Sequence, residues 1–432
     1  MPQANVLKGL TLSREIPFRD PDALFSLAVT DGMGRSAYLP VGQSMLERHM
    51  LLLGSAGTGK TNLLMHLARN LRANLTQEDA LVIFDPTGVM HRTLWQKGDV
   101  TLSDDDRACG PEGEDAWNLF EELSDEQRVV EDATALCETL FRERIEASAH
   151  PFSPTAARDL TLALMVFLCR QKDDSLRSNR ALRELIDGFD LDTMVRLLNG
   201  MPEFRAFAGY LGDGDRAQGV VATLQQSARE LLSGRFALEG RLSMRKLVRQ
   251  RAGRVIFICY DPVRGALTRP VFAALLDLCL TEALARRERP GNLYMMLDDV
   301  SVLPALAHLE DALRLGRNSG LRLILSFTGM GGLEARYAAA AASMRSAVGT
   351  TAAFQLLDRP SRDYVKSLYG RHRVVETYRS TVQRGMVEQV VDEYVISDED
   401  LTTLPTGDCI LCTLHHPPFF FRLKPYGTET AR

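Results

Sequence analysis

The sequence predicts an α/β protein, a P-loop nucleotide-binding domain that carries an inserted all-helical domain. Three observations predict it. The loop Gly54-Ser55-Ala56-Gly57-Thr58-Gly59-Lys60-Thr61 lies between an apolar run and a helical pattern. Apolar, strand-like runs alternate with helical ones before residue 124 and after residue 250. Between those points the texture is helical, with no clear strand.

Taken in order, residues 1–45 read as short strands and turns, including FSLAVTDGMGRSAYLPVG. From residue 46 the pattern is strand, loop, helix, strand: HMLLLG, TNLLMHLARNL, ALVIFD. Continuous apolar strands alternating with helices signal a parallel sheet covered on both faces. From Ser124 to about Gln250, DEQRVVEDATALCETLFRERI, AARDLTLALMVFLCRQ and GVVATLQQSARELLSG read as helices. They are broken at His150-Pro151, Asp173-Asp174-Ser175 and Gly212-Asp213-Gly214. Strands return at RVIFICYD (254–261), NLYMMLDD (292–299), LRLILSF (321–327), GTTAAFQLL (349–357) and GDCILCTL (407–414). The expected division is a strand-and-turn segment at 1–45, a nucleotide-binding domain at 46–123 and 251–432, and an all-α insertion at 124–250.

At 432 residues the chain can bury a large core. Its 45% hydrophobic and 25% charged residues are an ordinary globular balance. A net charge of -5 argues against wholesale polyanion binding, so a nucleic-acid site must be a local patch. Seven scattered cysteines fit reduced thiols better than a disulfide framework. No signal-peptide core is visible, and Leu160–Cys169 is about half of the roughly 20 apolar residues that a span needs. The expected location is cytoplasmic.

The loop fits G-x-x-x-x-G-K-[ST] without mismatch. Glycines let backbone amides face phosphates, and the following helix adds partial positive charge at its N-terminus. Gly54 through Gly59, with Lys60, Thr61 and Asn62, are the expected nucleotide contacts. Lys60 is expected on the β- and γ-phosphates, and the Thr61 hydroxyl on Mg²⁺. Hydrolysis also needs an acidic strand end, which YMMLDD supplies: Asp298 for the magnesium shell and Asp299 to orient water.

RHMLLLGSAGTGKT, IFDPTG, AWNLF, RLGRNSGLRLILS, VGT and the closing LTTLPTGDCILCTLHHPPFFFRLKPY resemble type IV secretion coupling proteins. These TraD-like conjugal motors are relatives of the FtsK and HerA translocases. The resemblance runs from about residue 35 to the C-terminus. It implies a RecA-like fold, ATP and Mg²⁺ as ligands, and a homo-oligomeric, hexameric ring. It implies non-sequence-specific DNA, secretion-system subunits and a relaxase or effector cargo as partners, with membrane association only through them. It implies that an arginine from a neighbour completes the site, a place that Arg317 takes, with Arg314 nearby. Family members carry N-terminal membrane helices. This chain shows none, and its start at Met1 leans toward a soluble variant over a trimmed one.

Three departures stand out. The acidic strand ends Asp298-Asp299 rather than Asp-Glu. Thr328 stands where a γ-phosphate-sensing Gln is usual. DPKG reads Asp85-Pro86-Thr87-Gly88. Binding is therefore expected with slow hydrolysis. The alternatives are a nucleotide-binding scaffold with little turnover, or a soluble FtsK/HerA-like translocase. Cys409, Cys412, His415 and His416 suggest zinc, but strand alternation separates i from i+3, so buried strand thiols are expected. Basic clusters at Arg245–Arg254, Ala285–Arg289 and Arg371–Arg373 read first as solvated faces and second as phosphate contacts.

Overall fold

The computed structural model describes residues 5–108, 116–124, 127–188, 190–212, 214–263, 265–286, 290–380 and 385–427. Two compact units emerge. One is Met1–Thr76, Tyr294–Ser301 and Leu313–Arg432; the other is Gln77–Leu293 and Val302–Ala312.

The first unit holds β1 (Asn5–Lys8), β2 (Phe25–Asp31), β3 (Ser36–Val41) and β4 (Met50–Leu53). The second contributes β5 (Ala80–Asp85), β6 (Val100–Ser103) and β7 (Arg254–Cys259). The first resumes with β8 (Leu293–Leu297), β9 (Leu321–Phe327), β10 (Thr350–Ala353), β11 (Arg371–Ser380), β12 (Gly385–Tyr394), β13 (Asp408–Thr413) and β14 (Phe419–Leu423).

In the first unit the sheet order is β3-β2-β14-β13-β10-β4-β9-β8. β4 is central and fully buried, and it runs parallel to β9 and β10. Its register sets Leu53 beside both Phe327 and Ala353. The three chain segments that leave these strand ends are thereby brought together. The helix Lys60–Ala73 follows and buries Leu63, Leu64, Leu67 and Leu71, spaced for one face. β1, β11 and β12 form a separate antiparallel sheet. The long β11–β12 pair is absent from the sequence reading. Charges interleave its valines, so no apolar run announces it, and cross-strand pairing defines it.

In the second unit β7 pairs in parallel with β5 on one side and β6 on the other. β6, only four residues long, was also not read from sequence. Between Ser124 and Gln250 the described residues form helices and turns, apart from a lone bridge of Leu242 to Trp117. Ser178, Asp190 and Ser243 cap three of these helices by accepting from the amides of Ala181, Thr193 and Lys246. The compact division does not fall at 124 and 250, because β5 to β7 and the helix Arg269–Leu284 cluster with these helices. Polar contacts explain why. The buried Glu122 carboxylate accepts from Trp117 Nε1 at 2.8 Å, Ser243 Oγ at 3.0 Å and the amides of Met244 and Arg245. Arg269 pairs with Glu143 across the same region. Burial pushes the Glu122 carboxyl up, and those donors oppose it.

The helix Phe152–Cys169 is 18 residues long and, whole, apolar enough to cross a membrane by length and composition, beyond the ten-residue run seen in sequence. Its most apolar window is 67% buried in this fold. Its Asp159 is held by Arg158 at 2.7 Å and Tyr210 Oη at 2.8 Å.

Candidate nucleotide site

The phosphate loop begins where β4 ends. The Gly54 amide donates to Phe327 O at 3.4 Å and the Ser55 amide to Gln355 O at 2.9 Å, which pins the loop to the ends of β9 and β10. A Cβ on Gly54 would lie 2.6 Å from Phe354 Cβ, so only glycine fits. Gly57 and Gly59 adopt φ of 75° and 119°, left-handed values suited to glycine. Their amides donate to no protein acceptor among the described residues. The space beside Gly57 is open. A cradle of orphaned amides at a helix N-terminus fits a phosphate chain.

Lys60, expected on the phosphates, is folded onto its own loop. It is 7% exposed, and its Nζ donates to Gly54 O at 2.6 Å and Ser55 O at 3.0 Å. Burial lowers its pKa, while Asp298 and Asp299 act in the opposite direction. The ammonium thus bonds the loop's own carbonyls, at the edge of the cradle.

Thr61 Oγ1 donates to Asp298 Oδ2 at 2.9 Å. These residues are 237 apart in sequence, and they are the expected magnesium pair. Their two oxygens are hard donors of the kind that Mg²⁺ takes, so the pair fits the ion. Asp298 is buried at the end of β8. Asp299 follows with φ 43°, and its Oδ1 accepts from the Ser301 hydroxyl. Ser301 had no signal in the sequence. Thr328 is exposed one residue beyond Phe327, whose carbonyl takes the Gly54 amide.

Asn62 departs from its expected place on the loop, and Arg317 stands away from this chain's own loop. Asn62 Nδ2 donates to Lys424 O at 3.0 Å, and its Oδ1 accepts from the Tyr426 amide at 2.7 Å. One step along the helix turns a side chain by about 100°, so Asn62 faces the C-terminal segment rather than the loop. Arg317 lies in the turn Gly316–Ser319 that leads into β9, and it pairs with Glu47 at 3.2 Å. β9 runs from that turn to the phosphate end, so Arg317 lies at the opposite end of the strand from the loop.

Most described members of the basic clusters have acidic or aromatic neighbours. Arg245 pairs with Asp132, Lys246 with Glu121, Arg249 with Glu282 and Arg373 with Asp392. His372 lies 3.2 Å from Glu393, and Arg371 lies over the Tyr394 ring. Arg287 and Arg289 lie outside the described residues. Cys409 and Cys412 are buried in β13, and burial raises both thiol pKa values. Among the described residues no group of three or more His, Cys, Asp or Glu side chains is placed to hold a metal.

The family model for the type IV secretion-system coupling protein DNA-binding domain matches residues 35–417. The chain belongs to the coupling protein family. Solved structures of the same fold include the bacterial conjugative coupling protein TrwBdeltaN70 in its unbound form. It is 22% identical with TM-score 0.74, and the match covers 97% of this chain and 93% of that one. The plasmid coupling protein TrwB in complex with ADP and Mg²⁺ matches at 21% identity and TM-score 0.74, covering 98% and 96%. VirB4 of Thermoanaerobacter pseudethanolicus matches at 14% identity and TM-score 0.55, covering 96% and 100%. No curated protein matches in sequence at a significant level. At these identities the likeness is one of fold, a P-loop α/β fold with a helical region.

Proposed function

We propose that this coupling protein is an ATP-driven motor that recruits DNA–relaxase or protein cargo to a type IV secretion channel. The observation that carries the reading is the Thr61–Asp298 hydrogen bond beside a loop of orphaned amides. A hydroxyl and a carboxylate that meet over such sequence distance build the oxygen pair that holds Mg²⁺ on a nucleotide. Bound magnesium supplies neutralisation of the charge that develops on the transferred phosphoryl group. Gly57 and Gly59 amides bind phosphate oxygens, and Lys60 leaves the carbonyls of Gly54 and Ser55 to join them. Asp299 orients the attacking water. Thr328 contacts the γ-phosphate end with a short side chain. Arg317 serves the site of an adjacent copy, in a cytoplasmic homo-oligomeric ring, and DNA is bound without sequence preference.

Slow turnover belongs to this reading. The Asp299 carboxylate is tied to Ser301 in its own turn, and it has less reach than Glu. That contact also favours the second reading, a scaffold in which ATP stabilises assembly with little hydrolysis. Steady-state ATPase with and without single- and double-stranded DNA separates the two. DNA-stimulated turnover supports the motor. Tight MgATP binding with no turnover under any DNA supports the scaffold.

A further inference from the structure

Resting on the reading of Arg317 just given, we propose that Glu47 and Arg322 are positioning residues that aim Arg317 at the nucleotide of a neighbouring copy. Glu47 lies outside every quoted motif, Arg322 lies in RLGRNSGLRLILS with no role attached to it, and three observations carry the assignment.

First, Arg317 is gripped at two points. Its Nη2 donates to Glu47 Oε2 at 3.2 Å. Its backbone carbonyl accepts from Arg322 Nη1 at 3.0 Å. Arg322 Nη2 lies 3.9 Å from the other Glu47 oxygen, so the two anchors face each other.

Second, the grip leaves most of the guanidinium available. Arg249 gives two nitrogens to Glu282 and Arg373 gives two to Asp392, the fork geometry that uses arginine fully. Arg317 gives Glu47 one. Among the described residues its Nε and Nη1 bond nothing, and its side chain is 51% exposed. A guanidinium held by one corner can present its remaining donors to a phosphate while keeping its anchor. A free arginine loses its rotamer freedom on reaching a ligand, and an anchored one has lost part of it already.

Third, the anchor is itself fixed. Arg322 has a side chain 9% exposed, and its Nε is buried without a partner. Burying a half-satisfied guanidinium costs stability, which a merely structural strand position would avoid with an apolar residue. His49 Nδ1 accepts from the Leu323 amide at 3.0 Å, which ties the segment after Glu47 to β9 and holds the Glu47–Arg322 spacing.

The test is subunit complementation with the full chain. Glu47→Gln keeps the shape and removes the charge. Its kcat is expected to fall about tenfold, with KM and MgATP affinity unchanged, because its own phosphate loop is intact. Glu47→Asp, which restores the charge on a shorter arm, is expected between the two. Lys60→Ala subunits have a crippled phosphate loop of their own but carry an intact Glu47 and Arg317. Mixed with Glu47→Gln subunits, they are expected to restore turnover, whereas Lys60→Ala/Glu47→Gln double-variant subunits are not. A Glu47→Gln kcat equal to wild type, or equal rescue by both partners, overturns the assignment. Arg317→Ala run alongside separates the layers. If it retains full turnover, the reading of Arg317 fails; if it is inactive while Glu47→Gln is not, only the positioning role fails.

Discussion

Asp299→Glu tests the catalytic reading most directly. Asp299 sits at φ 43° with its Oδ1 on the Ser301 hydroxyl. Glu adds one methylene, about 1.5 Å of reach on the covalent scale. That lengthens the reach of the carboxylate beyond the Ser301 contact in its own turn. A 1 Å misplacement can cost about 10²-fold, and recovering half of that on a logarithmic scale gives about tenfold in kcat, or ~1.4 kcal/mol. The same change has a stability cost. Asp tolerates a left-handed backbone better than Glu, a difference of about 1 kcal/mol. Loss of the Ser301 hydrogen bond adds about 1 kcal/mol. The expected variant is therefore faster and less stable by ~2 kcal/mol in total. The assay is kcat at saturating MgATP with DNA present, paired with denaturant unfolding of the same preparations. A folded variant that binds MgATP like wild type but turns over no faster would refute the idea that reach limits the rate.

Other outcomes follow from the same geometry. Lys60→Ala is expected to weaken MgATP binding by about 10- to 100-fold, since a charged hydrogen bond is worth ~1.5–3 kcal/mol, while circular dichroism stays unchanged; calorimetric titration reads it. Burial, with Arg322 adding to it, holds His49 neutral with a pKa of about 4 against an ordinary 6.5. Its contribution to stability is therefore complete above pH 6.5 and lost as pH falls toward 4, about 3 kcal/mol in all, and His49→Asn should flatten that part of an unfolding-versus-pH curve. Leu164→Ala, at a fully buried position of the helix Phe152–Cys169, should cost about 2–5 kcal/mol by cavity formation in chemical denaturation, with MgATP affinity retained.

Much of the candidate nucleotide site is local, and for that reason it was legible. Gly54 to Thr61 needs special backbone angles and one cation at fixed spacing, and those demands are written in residue type. β4, β5, β8 and β9 were readable because strands buried on both faces are uninterrupted apolar runs. The Asp298-Asp299 pair was visible at the end of such a run. Other features depend on which strands become neighbours. β11 and β12 exist through cross-strand pairing, and β6 is too short to carry a pattern. Asn62 looked like part of the loop until helix rotation turned it to the Lys424–Tyr426 segment. Ser301 on Asp299, Lys60 folded onto the loop carbonyls, and the Glu47–Arg317–Arg322 grip are contacts decided by the tertiary structure. The sequence by itself determined that this chain holds a phosphate loop and an acidic strand end. Tertiary structure alone decided that Thr61 and Asp298 meet at 2.9 Å, because the order of β4, β9 and β8 in the sheet, and not their order in the chain, sets which strand ends stand side by side.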